Sequence, residues 1–154
     1  MRYIKCPIEL KSIHPSEIVI FMAGGITGCP NWQSAIWQKL MPLPNSSRLD
    51  SIILVNPRRS DFDCSKSESS VEQIEWEFRH LNMSDYIYFW FPKEGACSIT
   101  LFELGWALGA GKKVRVGVEP GYLRELDVRE QLKMRAPWKT ISTSLDDLYG
   151  NLVY

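Results

Sequence analysis

Four short apolar segments constrain the fold of this chain more than any other feature. They occupy residues 18–22, 51–55, 86–91 and 114–118, and most of their side chains are β-branched, aromatic or otherwise apolar. Strands that are apolar at nearly every position are typical of a parallel sheet covered on both faces. Residues 138–142 are the candidate for a short fifth strand. We therefore predict an α/β fold around a mostly parallel, five-stranded sheet.

Helical patterns fill the chain between these segments. Asn31 has the side chain of an N-cap, and Trp32, Ile36 and Leu40 then recur at the spacing of a helix face. Further helices are predicted over residues 100–110 and 128–134 and from Leu145 onward. Strands that alternate with helices favour right-handed crossovers and helices on both faces of the sheet.

A further helix is predicted after a Ser-rich loop at residues 60–70. Ser70 and Gln73 have the spacing of a capping box, which marks a helix start. The apolar residues that follow recur every three or four positions, which is typical of the buried stripe of an amphipathic helix. That predicted stripe consists of Val71, Ile74, Phe78 and Leu81.

Length and composition indicate one ordinary globular domain over residues 1–154, with residues 1–16 as a surface leader. Lys plus Arg equals Asp plus Glu at 18 each, so no net basic charge attracts a nucleic acid polymer. The four cysteines are widely spaced, which favours free thiols in a reducing cytoplasm. Two histidines make a zinc site improbable, and the apolar segments are too short to span a membrane.

Ligands of such sheets bind beyond the carboxyl ends of the strands, where the strand order reverses. This rule nominates the loops at residues 23–31, 56–70, 92–100 and 119–127. The first loop contains Gly24, Gly25 and Gly28 but lacks the dinucleotide-binding GxGxxG pattern. Its glycines either bring backbone N–H groups close to a ligand or serve a tight turn with positive φ.

Acidic residues on two predicted helices have alternative interpretations. Glu103 interrupts an apolar helix, and with Thr100 it has the spacing of a capping box, which its position near a helix start favours. The alternative is a desolvated nucleophile. On the preceding helix Glu75 and Glu77 lie on either flank of the apolar stripe, so periodicity does not choose between them. The arginines at 58, 59 and 124 follow predicted strands and suit phosphate or carboxylate groups.

Taken together, these segments resemble the nucleoside 2-deoxyribosyltransferase-like family. Each matching motif is weak alone, but the ordered set spans roughly residues 18–130. The matches are IFMAGGITG at 20–28 with Trp32, VNPRRSDF at 55–62, QIEWE at 73–77 with Asp85 beyond it, SITLFELG at 98–105 and VEPGYLR at 118–124.

The resemblance implies a flavodoxin-like three-layer sandwich and chemistry at the bond between C1′ of a (deoxy)ribose and its base. It makes Glu103, in the Glu-Leu-Gly of the third helix, the nucleophile and Glu77, 26 residues earlier, the acid that protonates the base. We expect a helix N-terminus to keep the nucleophile ionised while burial keeps the acid protonated. The expected substrate-binding residues are Gly24, Gly25, Ile26, Asn56, Arg58, Ser98, Thr100 and Arg124.

The chain also departs from the classical transferases of this family. Cys97-Ser98 stands where those enzymes carry an acidic residue, and a Ser there is more similar to the nucleotide hydrolase branch. The Asn-Pro-Arg-Arg element is likewise foreign to the classical enzymes. The alternatives are therefore a hydrolase of nucleotides or NAD-like dinucleotides without base exchange, and a non-catalytic nucleotide-binding sensor. We expect a small-molecule nucleoside or nucleotide ligand, no cofactor, no metal, no membrane and assembly into a homo-oligomer.

Overall fold

The computed structural model of the protein describes residues 1–43, 47–59 and 67–152. Its strands are β1 (Arg2–Lys5), β2 (Ile18–Gly24), β3 (Ile52–Asn56), β4 (Tyr86–Phe91), β5 (Lys113–Val118) and β6 (Ile141–Ser142). Its helices are α1 (Trp32–Leu40), α2 (Ser47–Asp50), α3 (Ser67–Met83), α4 (Ser98–Gly109), α5 (Glu125–Arg135) and α6 (Leu145–Tyr149), and a 3₁₀ turn follows at Gly150–Leu152. Residues 60–66 of the predicted Ser-rich loop, with Cys64 and the end of the VNPRRSDF match, lie outside the described residues.

The described strands form one sheet in the order β1-β3-β2-β4-β5-β6, and every pairing among them is parallel. The predicted α/β class and the four long strands are confirmed. The expected strand count is corrected from five to six, because Arg2–Lys5 pairs with β3 at the edge of the sheet. Residues 1–16 are therefore not merely a surface leader. The strand has only four residues of mixed polarity and is half-buried at the edge of the sheet. Its sequence therefore has no hydrophobic pattern that distinguishes it from a loop.

Helices cover both faces of this sheet, which gives the three layers of a flavodoxin-like fold. The α3, α4 and α5 helices pack on one face and α1 and α6 on the other, and each layer has its own apolar core. Side chains of β2 alternate between the two cores: Phe21 and Ala23 face the first, and Ile20 and Met22 face the second. No helix among the described residues is long and apolar enough to cross a membrane.

The start of α1 is confirmed, whereas the prediction for α3 was wrong in two respects. Asn31 accepts a hydrogen bond from the backbone N–H of Ser34 at 3.2 Å, as an N-cap does. The α3 helix, however, begins at Ser67, so Ser70 lies inside it and is not a cap. Of its predicted apolar stripe only Leu81 is buried.

The buried face of α3 is instead the row Gln73, Trp76, Glu77 and His80, which also has helical spacing. The Trp76 side chain is 1% exposed and His80 is fully buried, stacked on the Trp76 ring with 3.8 Å between ring centres. His80 Nδ1 bonds to the Trp76 carbonyl at 2.8 Å, and Nε2 accepts from the Leu10 N–H at 3.3 Å. This face is polar in sequence, so hydrophobic periodicity selected the opposite side of the helix.

Candidate active site

The strand order reverses at β2, which has β3 on one side and β4 on the other. The loops that leave β2 and β4 therefore diverge from the same point at the carboxyl edge of the sheet, where a crevice is expected. A cavity of about 550 Å³ opens there, with Phe21 and Ala23 among its lining residues. That volume lies in the range of small-molecule sites. Three of the four nominated loops contribute to it, and the loop at 119–127 does not line it.

Two carboxyl groups on neighbouring helices share this cavity: Glu77 of α3 and Glu103 of α4 both line it. Glu75 points the other way, with a side chain 65% exposed and an ion pair to Arg79 on its own helix. The structure thus distinguishes Glu77 from Glu75, which periodicity could not do. Glu77 lies on the buried row of α3, the row that turns toward the sheet and the cavity.

The capping-box interpretation of Glu103 was wrong. The α4 helix begins at Ser98 with Cys97 as its N-cap, so Thr100 is the third residue of the helix rather than its cap. Glu103 therefore lies in the second turn, beyond the N3 position that a capping-box glutamate occupies. Its carboxyl group is free of the helix start and faces the cavity.

Burial raises the pKa of both carboxyl groups. Desolvation, with a smaller contribution from the charge of Glu77, raises the pKa of Glu103 to about 8. Desolvation also raises the pKa of Glu77, against a hydrogen bond from Gln73 that lowers it. The expectation that a helix N-terminus holds Glu103 ionised is therefore corrected. The hydrogen bond from Gln73 opposes the effect of burial at Glu77, whereas at Glu103 the charge of Glu77 adds to it.

Gln73 is a site residue that sequence reasoning missed. Its amide Nε2 donates to Glu77 Oε1 and to the Pro57 carbonyl, both at 2.7 Å. The thiol of the buried Cys6 donates to its Oε1 at 3.2 Å. The i, i+4 spacing of Gln73 and Glu77 is the sequence signal for this contact, but the capping-box interpretation gives Gln73 a different role.

The glycine loop is shaped by close packing more than by positive φ. A Cβ atom on Gly24 would lie 2.4 Å from the Trp90 carbonyl oxygen, and one on Gly25 would lie 2.7 Å from Cys29 Sγ. Of the three loop glycines, only Gly28 has a positive φ, of 72°. The Gly25 carbonyl accepts from Trp32 Nε1 at 3.1 Å. Gly24, Gly25 and Ile26 all line the cavity, as expected for a loop that holds a ligand with its backbone.

Arg58 does not line the cavity, and its neighbour Arg59 does. The Arg58 guanidinium donates to the Pro30 carbonyl at 2.9 Å and to Gln33 Oε1 at 3.1 Å, and so holds the segment after the glycine loop against β3. Arg59 Nη1 pairs with Glu72 of α3. The Arg58 donors bond to the protein itself in this structure, and its role in substrate binding stays a prediction.

Asn56 and Arg124 are also absent from the cavity lining. Asn56 is fully buried at the end of β3, where its Oδ1 accepts from the Arg58 N–H at 2.9 Å and its Nδ2 donates to the Tyr3 hydroxyl at 2.6 Å. Arg124 is exposed at the start of α5, 3.5 Å from the Asp127 carboxylate. The expected roles of Asn56 and Arg124 in substrate binding stay predictions.

The N-terminus of α4 forms another wall of the cavity. Ser98, Ile99 and Thr100 of its first turn line the site together with Cys97, whose φ of 52° turns the chain sharply into the helix. The first turn of a helix has backbone N–H groups without intrahelical partners and carries a partial positive charge. This wall, with two hydroxyl groups, is suited to an anion.

Two thiols and an apolar rim complete the site. Cys29 and Cys97 both line the cavity, and burial raises the pKa of both thiols, that of Cys97 to about 12. Ile74 and Ile99 line its mouth while remaining 63% and 67% exposed. Among the described residues, no group of three or more His, Cys, Asp or Glu side chains could hold a metal ion.

Comparison with known proteins assigns a family to this arrangement. Residues 17–122, more than half of the chain, match the family model described as nucleoside 2-deoxyribosyltransferase like. No curated protein matches the sequence. The match includes the glycine loop, both carboxyl groups and the first turn of α4. The chain therefore belongs to the nucleoside 2-deoxyribosyltransferase-like family.

Proposed function

We propose that this protein cleaves or transfers the N-glycosidic bond of a nucleoside or nucleoside 5′-monophosphate. The observation that carries the proposal is that Glu77 and Glu103, both half-buried and with pKa values raised by desolvation, share one cavity of about 550 Å³. Two carboxyl groups, one acting as acid and the other as nucleophile, are the machinery of retaining glycoside cleavage. The reaction needs no metal or cofactor.

In the proposed mechanism Glu103 is the nucleophile and Glu77 is the acid. The proton that Glu103 holds at neutral pH moves to Glu77 when the substrate displaces water from the cavity. Ionised Glu103 then attacks C1′ through an oxocarbenium-like transition state and forms a glycosyl ester, while Glu77 gives its proton to the departing base. A second base or a water molecule resolves the ester, which restores the carboxylate of Glu103.

The first turn of α4 supports a 5′-phosphate on the substrate. Ser98 and Thr100 supply hydroxyl groups beside backbone N–H groups, and Arg59 brings a positive charge to the same cavity. Charge-assisted hydrogen bonds to such groups are the usual means of phosphate recognition. This favours a nucleotide over an unphosphorylated nucleoside, as in the hydrolase branch of the family.

The decisive experiment is a panel of ribo- and deoxyribonucleosides and their 5′-monophosphates, with released base measured by chromatography. Each reaction is run with and without a second base, because exchange indicates transfer and release alone indicates hydrolysis. Glu103→Gln should abolish release, while Glu75→Gln, an exposed acid on α3, should leave it unchanged. Tight binding of a panel member that the wild-type protein never cleaves would refute catalysis and support the sensor alternative.

We also propose that two copies of the chain associate through the outer faces of α3 and α4. Val71, Ile74 and Phe78 on α3 and Ile99 and Phe102 on α4 are all more than half exposed. This apolar surface continues into the cavity, since Ile74 and Ile99 also line its mouth. A second copy that presents the same surface would bury these side chains and shield the substrate from water.

Light scattering of the purified protein tests this association. The wild-type chain should elute as a dimer or larger assembly, and the double substitution Phe78→Ser with Phe102→Ser should give a monomer. Trp138→Ser is the matched control, because Trp138 is also a highly exposed aromatic side chain but lies outside both helices. A monomeric wild-type protein at micromolar concentrations would refute the proposal.

A further inference from the structure

The carboxyl group of Glu77 is tied on one side by the side chain of Gln73. Gln73 Nε2 donates to Glu77 Oε1 at 2.7 Å across one turn of α3. The same nitrogen donates to the Pro57 carbonyl, which follows β3, also at 2.7 Å. An amide nitrogen has two N–H donors, so both are used.

The direction of the Gln73 amide follows from its partners. A backbone carbonyl can only accept, so the nitrogen and not the oxygen must face Pro57. The amide oxygen then faces the buried thiol of Cys6, after β1, which donates to it at 3.2 Å. Three separate parts of the chain thus hold one side chain, and the amide cannot rotate to present its oxygen to Glu77.

We propose that Gln73 is a positioning residue that fixes the carboxyl group of Glu77 in the cavity, with Oε1 held and Oε2 left for the departing base. This inference rests on the proposed function and deepens it. Because Glu77 Oε1 accepts from Gln73, Oε2 is the oxygen that carries the proton to the departing base. Gln73 itself touches neither the base nor the sugar in this assignment.

The charged side chains near Glu77 on α3 pair with other groups, and Gln73 donates a hydrogen bond to the Glu77 carboxyl group. Within α3, Glu72 pairs with Arg59, which follows β3 and lines the cavity, and Glu75 pairs with Arg79. The facing helix α4 supplies Glu103, whose charge would oppose that of Glu77. The loops after β2 and β4 contribute the thiols of Cys29 and Cys97, which are uncharged at neutral pH because burial raises their pKa. The Gln73 hydrogen bond lowers the pKa of Glu77 against the effect of burial.

The test is a titration of the full-length protein with ¹³C-labelled glutamate side chains, followed by NMR. In wild type, Glu77 should ionise at a lower pH than Glu103. Gln73→Met keeps the length of the side chain and removes both donors, so the midpoint of Glu77 should rise by about one pH unit or more. The midpoint of Glu103 should fall, because Glu77 then stays protonated to a higher pH and its negative charge no longer opposes the ionisation of Glu103.

Kinetics on a substrate from the nucleotide panel give the second readout. Gln73→Met should lower kcat about tenfold or more with KM changed less than about threefold, because Glu77 Oε1 is no longer held and Oε2 is no longer aimed at the departing base. The pH profile should shift with the NMR midpoints. Cys6→Ala is the matched control, because it removes the donor to the Gln73 oxygen and leaves both amide N–H donors in place. It should change neither the midpoints nor the pH profile.

Unchanged NMR midpoints in a folded Gln73→Met protein would overturn the proposal, even if its melting temperature falls. If that variant does not fold, the wild-type protein still decides. The ¹⁵N and ¹H shifts of the Gln73 side-chain amide should then follow the titration of Glu77, and shifts independent of pH overturn the inference. The NMR measurements need no turnover. If the protein cleaves nothing in the panel, the proposed function is refuted, and the NMR titration still tests the role of Gln73.

Discussion

Replacing the proposed nucleophile should stabilise this protein at alkaline pH. Burial and the charge of Glu77 raise the pKa of Glu103 from an ordinary 4.5 to about 8. In the unfolded chain the same carboxyl group ionises near its ordinary value. Between these two pH values the folded protein holds a proton that the unfolded chain has released, so the free energy of unfolding falls as the pH rises.

The size of the effect follows from the displacement of the pKa. Each pH unit corresponds to about 1.4 kcal/mol, so charging Glu103 costs the folded state on the order of 5 kcal/mol above pH 8. Glutamine does not titrate and lacks this cost. Glu103→Gln should therefore match wild type near pH 4.5 and exceed it increasingly up to about pH 8. For a chain of this length the gain corresponds to a melting temperature higher by about 10 °C.

Urea unfolding at pH 5 and pH 9, at one protein concentration, measures this difference. Glu75→Gln is the control, since Glu75 is an exposed acid whose replacement should leave the pH dependence of stability unchanged. Base release should be lost only in Glu103→Gln. A stability difference between Glu103→Gln and wild type that stays constant from pH 5 to pH 9 would refute the reasoning, because it would mean that Glu103 ionises normally in the folded protein.

Three further outcomes are expected. Gly24→Ala should lower the free energy of unfolding by about 1–3 kcal/mol in urea titrations, because the alanine Cβ would lie 2.4 Å from the Trp90 carbonyl oxygen of β4. An unchanged free energy of unfolding would mean that β2 and β4 can separate locally. Cys97 should react with iodoacetamide at pH 7.5 at least about a hundredfold more slowly in the folded than in the urea-unfolded protein, because burial raises its pKa to about 12. Peptide mass spectrometry measures the rate of alkylation. Equal rates in the two states would show that the folded protein has an accessible thiolate. Ser98→Ala should weaken binding of the nucleoside 5′-monophosphate about tenfold in calorimetry and leave the nucleoside unaffected; equal losses for both ligands would argue against a phosphate site at α4.

Local patterns were sufficient where burial is uniform along an element. The apolar segments at residues 18–22 and 86–91 predicted β2 and β4 because strands buried on both faces need apolar side chains at every position. Asn31 predicted the start of α1 because an N-cap bond involves only residues within one helical turn. The same signals gave the alternation of the four long strands with helices, and with it the edge of the sheet where the cavity lies.

Patterns failed where polar side chains are buried. On α3 the apolar residues Val71, Ile74 and Phe78 face outward, while the inward row includes Gln73 and Glu77. Hydrophobic periodicity assumes that the apolar face is the buried one. This assumption does not hold for α3, because Gln73 and Glu77 face the cavity while the apolar residues form the outer surface that we propose a second copy covers. The misassigned stripe and the missed Gln73 therefore have one cause.

By itself the sequence determined the fold class, the four long strands and the resemblance that pointed to Glu103 and Glu77. Only the tertiary structure decided that Arg59 and not Arg58 reaches the cavity, that Gln73 holds Glu77, and that burial raises the pKa of Glu103. The physical reason is that side-chain direction and desolvation depend on atoms contributed by distant parts of the chain. Those atoms come together only when the sheet and its two helical layers are assembled.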